Sequence, residues 1–114
     1  MTLSPLVIAK DALQLLRRGT TQPSDVHLYA RDAHGQPCGP FSSHAAKWTL
    51  SGALLVAGRC EDLKPSQAVQ DVSAALREAL GGQSPADFAH ASGRRAEEVH
   101  ALLETLIRKL EAAQ

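Results

Sequence analysis

The sequence HAAKWTLSGALLVAG, residues 44–58, decides the fold of this chain. Its apolar side chains fall on every side of a helix, a pattern that is typical of a helix buried all round. We therefore predict a central helix from about His44 to Ala57, capped by Ser42-Ser43 and ended by Gly58. The small residues around Gly52 would let a neighbouring backbone approach this helix closely.

The predicted hydrophobic core combines the central helix with the last helix of the chain. Trp48 is the chain's one tryptophan, and we expect it to anchor a hairpin on the central helix. Its buried indole N–H would need a hydrogen-bond acceptor. The predicted core residues are Trp48, Gly52, Leu55, Val99, Leu103 and Leu106.

Four other segments have the spacing and the end signals of helices. The first runs from Ser4-Pro5 to Arg18, and Gly19 after it is expected to supply a left-handed exit. The others run from Pro65 to about Leu80, from Ser84-Pro85 to about Ala91, and from about Ala96 to Glu111.

The segment between the first helix and the central helix has the features of a β-hairpin. From Val26 to Arg31, outward and inward residue types alternate, which is typical of a half-buried strand. Asp32-Ala33-His34-Gly35 supplies turn residues, and Gln36-Pro37-Cys38 is predicted to return as an edge strand. Arg31 would then pair with a carboxylate on a helix, while Asp32 accepts backbone hydrogen bonds within the turn.

Together these elements predict a mainly α fold, a small single-domain bundle of four main helices with a short β-hairpin between the first and second. The 114 residues are 44% hydrophobic and 21% charged, which is average for a globular domain. This composition excludes a disordered tail, a collagen-like rod and a disulfide-stapled miniprotein. Twelve basic residues balance twelve acidic ones, so the chain lacks the positive charge that non-specific nucleic-acid binding requires.

The N-terminus and the cysteines indicate a cytoplasmic protein. Residues 1–16 have no basic start, long apolar run or cleavage site of a secretory signal. No stretch approaches the roughly eighteen apolar residues that cross a bilayer, so we expect no membrane contact. Cys38 and Cys60 form no CxxC arrangement, and we expect two free thiols in a reducing compartment.

Two segments resemble a family of small bacterial proteins of unknown function. The first contains Ala30-Arg31-Asp32-Ala33-His34-Gly35 and then Trp48-Thr49-Leu50-Ser51-Gly52-Ala53-Leu54, and the second is the stretch 88–99. The family looks like an Ala-Arg-Asp-x-x-Gly hairpin, a Trp-x-x-x-Gly-Ala-Leu helix, and a Trp-Asn-Asp element before Gly-Arg and an acidic helix start. The resemblance would span about Leu6 to Leu110, and it implies a fold without implying an activity.

This chain departs from the family pattern at one place, where Phe88-Ala89-His90 replaces Trp-Asn-Asp. If the polar groups form a site in relatives, the resemblance implies that this site is altered here. If Asn and Asp only cap a helix, the change is structural.

Motifs for metal binding and catalysis are weak. The five histidines are His27, His34, His44, His90 and His100, at spacings of seven, ten, forty-six and ten residues. Zinc ligands usually come in closely spaced pairs, so we predict no metal and no cofactor, with Cys38 and His44 as the nearest approach to a pair. Ser42 and Ser43 adjoin His44 but are better explained as helix caps. We assign no catalytic residue and favour a protein that is not an enzyme.

Five polar residues form the candidate binding set, namely Arg31, Asp32, His44, His90 and Arg94. The leading hypothesis is a non-catalytic protein-binding or regulatory module of the inhibitor, immunity or accessory type, with a protein partner. A homodimer through the exposed edge of the final helix is an alternative.

Two further hypotheses stay open. A small ligand-binding domain or enzyme would hold a polar pocket between hairpin and helices, with at least three of Arg31, Asp32, His44 and His90 within hydrogen-bond reach. Weak nucleic-acid binding, the less favoured hypothesis, would need four arginines on one face: Arg17, Arg18, Arg94 and Arg95.

Overall fold

A computed structural model describes residues 3–113 of the protein. Within them the chain forms five helices and a small three-stranded sheet, so the fold is mainly α with a small β part. The elements in chain order are α1 (Pro5–Arg18), β1 (Ala30–Asp32), β2 (Pro37–Cys38), β3 (Ala45–Trp48), α2 (Leu50–Ala57), α3 (Gln67–Ala79), α4 (Pro85–Ala89) and α5 (Ala96–Ala112).

Serine caps set the starts of three helices. The Ser4 hydroxyl accepts the Val7 N–H at 3.2 Å, and Ser84 caps α4 in the same way, as the sequence predicts at both places. The third helix starts later than predicted, at Gln67, because Ser66 and not Pro65 is at its cap position. These caps fix where each helix enters the core.

The predicted helix from His44 to Ala57 is wrong over its first part, where Ala45–Trp48 forms β3. Thr49 separates strand from helix, since its side chain accepts a backbone N–H of the first turn of α2 at 3.0 Å. The free edge of β1 supplies hydrogen-bond partners to the segment, and this tertiary pairing outweighs its helical pattern. Ser42, the predicted cap, instead accepts the His44 N–H at 3.1 Å in a turn.

The hairpin prediction needs two corrections. The sheet has three strands in the order β2-β1-β3, with both neighbours antiparallel to β1. The strand predicted over Val26–Arg31 is confined to Ala30–Asp32, because the preceding residues form turns. Asp25 lies in these turns, and its carbonyl accepts the Leu28 N–H at 3.2 Å.

Gly19 does not form the left-handed exit that the sequence predicts, since its φ is −177° and its backbone is extended. The position requires glycine for a different reason. A Cβ on Gly19 would lie 2.1 Å from the carbonyl oxygen of Ala46, so the chain leaving α1 passes directly against β3. By contrast, Gly81 and Gly82 after α3 both have positive φ, as helix-ending glycines often do.

One core joins the sheet to the helices and makes residues 3–113 a single compact domain. α2 is shorter than predicted but remains central, with six of its eight residues buried. Trp48 is 4% exposed, and its indole N–H donates to the Pro40 carbonyl at 3.1 Å. The residues placed in the core from sequence are all buried: Trp48, Gly52, Leu55, Val99, Leu103 and Leu106.

α1 and α5 run antiparallel along one side of the core. Lys10 pairs with Glu111 at 3.4 Å near one end, and Arg17 pairs with Glu104 at 3.1 Å nearer the other.

Cys38 is half-buried and Cys60 is buried, and both are free thiols. Among residues 3–113, no helix combines the length and the apolar character that crossing a bilayer demands.

Candidate functional site

A surface cleft of about 340 Å³ opens between the turns that precede the sheet, the start of α2, and α4. We call it the His90 cleft. It is lined by Val26, His27, Leu28, Tyr29, Ser51, Ala86, Asp87 and His90.

His90 stands at the end of α4, where local sequence fixes its backbone. Ser84 and Pro85 start this short helix, and the His90 N–H donates to the Ala86 carbonyl at 3.0 Å to close its last turn. The imidazole then crosses to the facing turns, where Nδ1 lies 2.9 Å from the Pro23 carbonyl oxygen. His90 therefore ties α4 to the turn at Pro23, which precedes the residues of the other wall of the cleft.

The contact with Pro23 also decides how His90 can act. A carbonyl oxygen only accepts hydrogen bonds, so Nδ1 of His90 must carry the proton. Nε2 makes no hydrogen bond to any residue among 3–113, and in the neutral ring it is an acceptor. In its neutral form, the His90 imidazole thus has a fixed tautomer, with Nε2 available as an acceptor.

Four more polar side chains of the cleft make no hydrogen bond to residues 3–113: His27, Tyr29, Ser51 and Asp87. They offer donors and acceptors of several kinds beside the apolar Val26, which is 53% exposed. The mixture of free polar groups and exposed aliphatic surface is suited to binding.

The backbone at the cleft wall is free as well. Neither the N–H nor the C=O of Val26 or of His27 makes a hydrogen bond to another residue of the described chain. Both residues are exposed, so these main-chain groups are available to a ligand.

A partly buried ion pair holds this wall against the sheet. Asp25 is 7% exposed, and its carboxylate accepts from the Arg31 guanidinium at 2.8 Å and from the Gln22 N–H at 3.1 Å. Arg31 also donates to the Gly35 carbonyl. Arg31 therefore joins the hairpin to a carboxylate in the loop, not to one on a helix as predicted.

The pair shifts the titration of both its members. The Arg31 hydrogen bond, helped by the Gln22 N–H, lowers the pKa of Asp25 below its ordinary value, although burial opposes this shift. His90 contributes a smaller electrostatic part to the lowered pKa of Asp25. The pKa of Arg31 is raised in return, mainly by its hydrogen bond to Asp25.

Asp32 and His44 lie away from the cleft. The Asp32 carboxylate accepts the N–H groups of His34 and Gln36 at 2.9 Å each, in the turn role expected of it. The backbone hydrogen bond from Gln36 contributes most to the lowered pKa of Asp32. Among the described residues, no hydrogen bond or ion pair joins any two of the four predicted pocket groups, and of these His90 lines the cleft.

Arg94 fastens α4 to α5. Its Nε donates to the Phe88 carbonyl at 2.8 Å, its guanidinium lies 3.8 Å from the centre of the Phe88 ring, and a second nitrogen pairs with Glu98 at 2.8 Å. The hydrogen bond from the Arg95 backbone N–H contributes most to the lowered pKa of Glu98, and the hydrogen bond from the Arg94 side chain contributes next. Phe88 contacts Arg94 here and His90 is hydrogen-bonded to Pro23, so two positions of the departure from the family pattern have structural roles.

Four polar residues of the cleft were missed from the sequence: His27, Tyr29, Ser51 and Asp87. The alternation around His27 and Tyr29 indicated a strand face, and no spacing signal links them to Ser51 or Asp87. These residues meet only because the chain turns back on itself between β1 and α4.

Three of the four arginines proposed for nucleic-acid contact form ion pairs with glutamates. Arg17 pairs with Glu104, while Arg94 and Arg95 share Glu98 at 2.8 and 3.7 Å. Within residues 3–113, no group of three or more His, Cys, Asp or Glu side chains is placed to hold a metal ion.

Comparison with known proteins identifies a family for the chain but gives no function. The model of the "Family of unknown function (DUF6197)" matches residues 2–109. No curated protein and no solved structure matches the chain. Because the family model covers nearly the whole sequence, the chain belongs to DUF6197, a family of unknown function.

Proposed function

We propose that the protein is a non-catalytic binding module, of the inhibitor, immunity or accessory type, that takes an extended segment of a partner protein into the His90 cleft. The free main-chain groups of Val26 and His27 carry this proposal. A peptide would hydrogen-bond to these main-chain groups of the turn, which would give affinity, while its side chains would contact the cleft and give specificity.

The side chains of the cleft complement such a segment. Val26 is 53% exposed and offers an apolar contact, while Nε2 of His90 accepts a hydrogen bond from the segment. An apolar centre with polar groups around it is the usual anatomy of a protein interface. The partner segment would therefore have an aliphatic side chain next to a hydrogen-bond donor.

The test is selection of a displayed random peptide library on the full chain, followed by titration of a selected peptide observed by amide NMR. We expect shifts concentrated at residues 26–29 and 86–90. Val26→Asp should weaken binding by about tenfold or more, because a charge would be buried at an apolar contact. Val7→Asp is the matched control, since Val7 is 41% exposed on α1 outside the cleft.

Selected peptides whose shifts fall elsewhere, or which bind Val26→Asp as well as wild type, would rule out this site.

A second candidate is a small polar ligand, supported by the cleft volume of about 340 Å³, which lies in the usual range for small-molecule sites. Fragment binding that survives Val26→Asp and is lost in His90→Ala would favour this candidate over a peptide.

The proposed setting is the bacterial cytoplasm, and free Cys38 and Cys60 are compatible with a reducing compartment. A homodimer through α5 stays a proposal, and the mass in solution tests it. Nucleic-acid binding has less support, because Arg17, Arg94 and Arg95 already have glutamate partners.

A further inference from the structure

A second surface groove, of about 250 Å³, lies between α1 and the end of α2. We call it the Arg18–Arg59 groove. It is lined by Asp11, Gln14, Leu15, Arg18, Val56, Ala57 and Arg59. It shares no lining residue with the His90 cleft, so its role is independent of the function proposed above.

The two arginines of this groove differ from the others in the chain. Six guanidinium groups have a hydrogen-bond or ion-pair partner, namely those of Arg17, Arg31, Arg77, Arg94, Arg95 and Arg108. Arg18 and Arg59 have no such partner among residues 3–113. Both residues line the same groove.

Each of the two has a distinct local environment. The Arg18 guanidinium carbon lies 5.5 Å from the centre of the Trp48 ring, which holds it by a cation–π contact. Arg59 has a φ of 54°, a left-handed conformation that glycine adopts more easily. The turn after α2 would therefore form at least as well with glycine, and the backbone alone gives no reason for an arginine there.

We propose that the Arg18–Arg59 groove binds the oxyanion group of a small ligand, a phosphate or a carboxylate. A guanidinium presents several N–H donors in one plane and matches the oxygens of these groups, and the positive charge of both arginines would favour an anion in the groove they line. Asp11 lies seven residues before Arg18 on α1, and its carboxylate opposes anion binding at the far end of the groove.

A purely structural role for both arginines is the competing explanation. Arg18 ends α1 and Arg59 follows α2, and cations at helix C-termini are stabilised by the helix dipole. In that case their removal would lower stability and leave anion binding unchanged. Stability and binding must therefore be measured on the same variants.

The experiment titrates the full chain with inorganic phosphate and, separately, with acetate, while the arginine side-chain N–H signals are followed by NMR. We expect saturable shifts at Arg18 and Arg59, with the tighter of the two anions naming the ligand chemistry. Arg18→Ala should weaken binding by about two- to fivefold, as expected for one exposed charge contact. Asp11→Asn should tighten binding.

Arg59→Gly separates binding from folding, since it removes the guanidinium while relieving the left-handed backbone. We expect it to melt at the same temperature as wild type or higher, yet to bind the anion about two- to fivefold more weakly. Arg108→Ala is the control, an exposed arginine outside the groove that should bind as wild type does. Non-saturable shifts, or equal weakening by Arg108→Ala, would overturn the proposal.

Discussion

At the scale of single residues, Gly52 lets α2 lie very close to the backbone that precedes the sheet. A Cβ at this position would lie 2.1 Å from the Tyr29 carbonyl oxygen. That oxygen cannot move away easily, because it also accepts the Thr49 N–H at 3.0 Å. The glycine therefore allows α2 to pack directly on the backbone that leads into β1.

We predict that Gly52→Ala destabilises the protein by about 2–3 kcal/mol, because a methyl group overpacks against fixed backbone. Gly39→Ala is the control, since a Cβ at Gly39 meets no atom within 4 Å and its φ is compatible with alanine. It should change stability by less than about 1 kcal/mol. Urea unfolding of both variants tests the pair, and equal effects would contradict the packing explanation.

Asp25 makes folding sensitive to acid. Its pKa is lowered in the folded state, chiefly by Arg31, so it stabilises the fold above the ordinary aspartate pKa of about 3.9. This contribution is lost as the pH falls through the lower, folded-state pKa. Asp32 and Glu98, whose pKa values are also lowered, lose their contributions in the same direction.

We predict that Asp25→Asn reduces the loss of unfolding free energy between about pH 5 and pH 2, because one of three shifted carboxylates is gone. Glu97→Gln is the control, since Glu97 is exposed and forms no ion pair with another residue among 3–113. Unfolding curves measured at each pH give the slopes. If Asp25→Asn and wild type have the same slope while the control also matches, Asp25 does not carry the acid response.

At the scale of secondary structure, Thr49 decides where β3 ends and α2 begins. Its hydroxyl accepts the Gly52 N–H at 3.0 Å and donates to the Tyr29 carbonyl at 3.3 Å. The side chain is 2% exposed, so water cannot replace either bond. A single buried hydroxyl thus caps the helix and links it to the sheet.

We predict that Thr49→Val, which keeps the shape and removes the hydroxyl, destabilises the protein by about 1–2 kcal/mol. Thr105→Val is the matched control, because Thr105 is exposed on α5 and donates only within its own helix. It should lie within about 0.5 kcal/mol of wild type. Similar losses in both variants would show that loss of any threonine hydroxyl, and not of the buried cap in particular, sets the effect.

The element that the sequence misassigned adjoins this cap. Residues 45–48 continue the apolar pattern of α2 and contain no helix breaker, so a helical reading is locally consistent. Their pairing with β1 depends on Ala30 and Arg31, which lie some fifteen residues earlier in the chain. Pattern reasoning within a window does not weigh partners at that separation.

At the scale of the whole molecule, sheet and helices share one core, and Trp48 reports on it. The indole is buried where β3 meets the helices, while helical signal comes mainly from α1, α3 and α5. We predict that tryptophan fluorescence and far-ultraviolet circular dichroism give the same urea midpoint, as one cooperative unit requires. A lower midpoint for fluorescence would mean that the sheet unfolds separately.

The sequence by itself determined the mainly α fold, the helix starts at Ser4 and Ser84, and the buried positions of α2 and α5. These depend on local chemistry, since capping hydroxyls and apolar periodicity act within a few residues of each other. It also identified Trp48 as buried and in need of an acceptor, though not the strand that carries it.

Only the tertiary structure decided the three-stranded sheet and both surface sites. The pairing of β3 with β1 and the meeting of His27 with His90 depend on residues far apart in the chain. No residue type signals its partner over such distances, because hydrogen bonding and packing select among many compatible groups only once the chain has closed on itself.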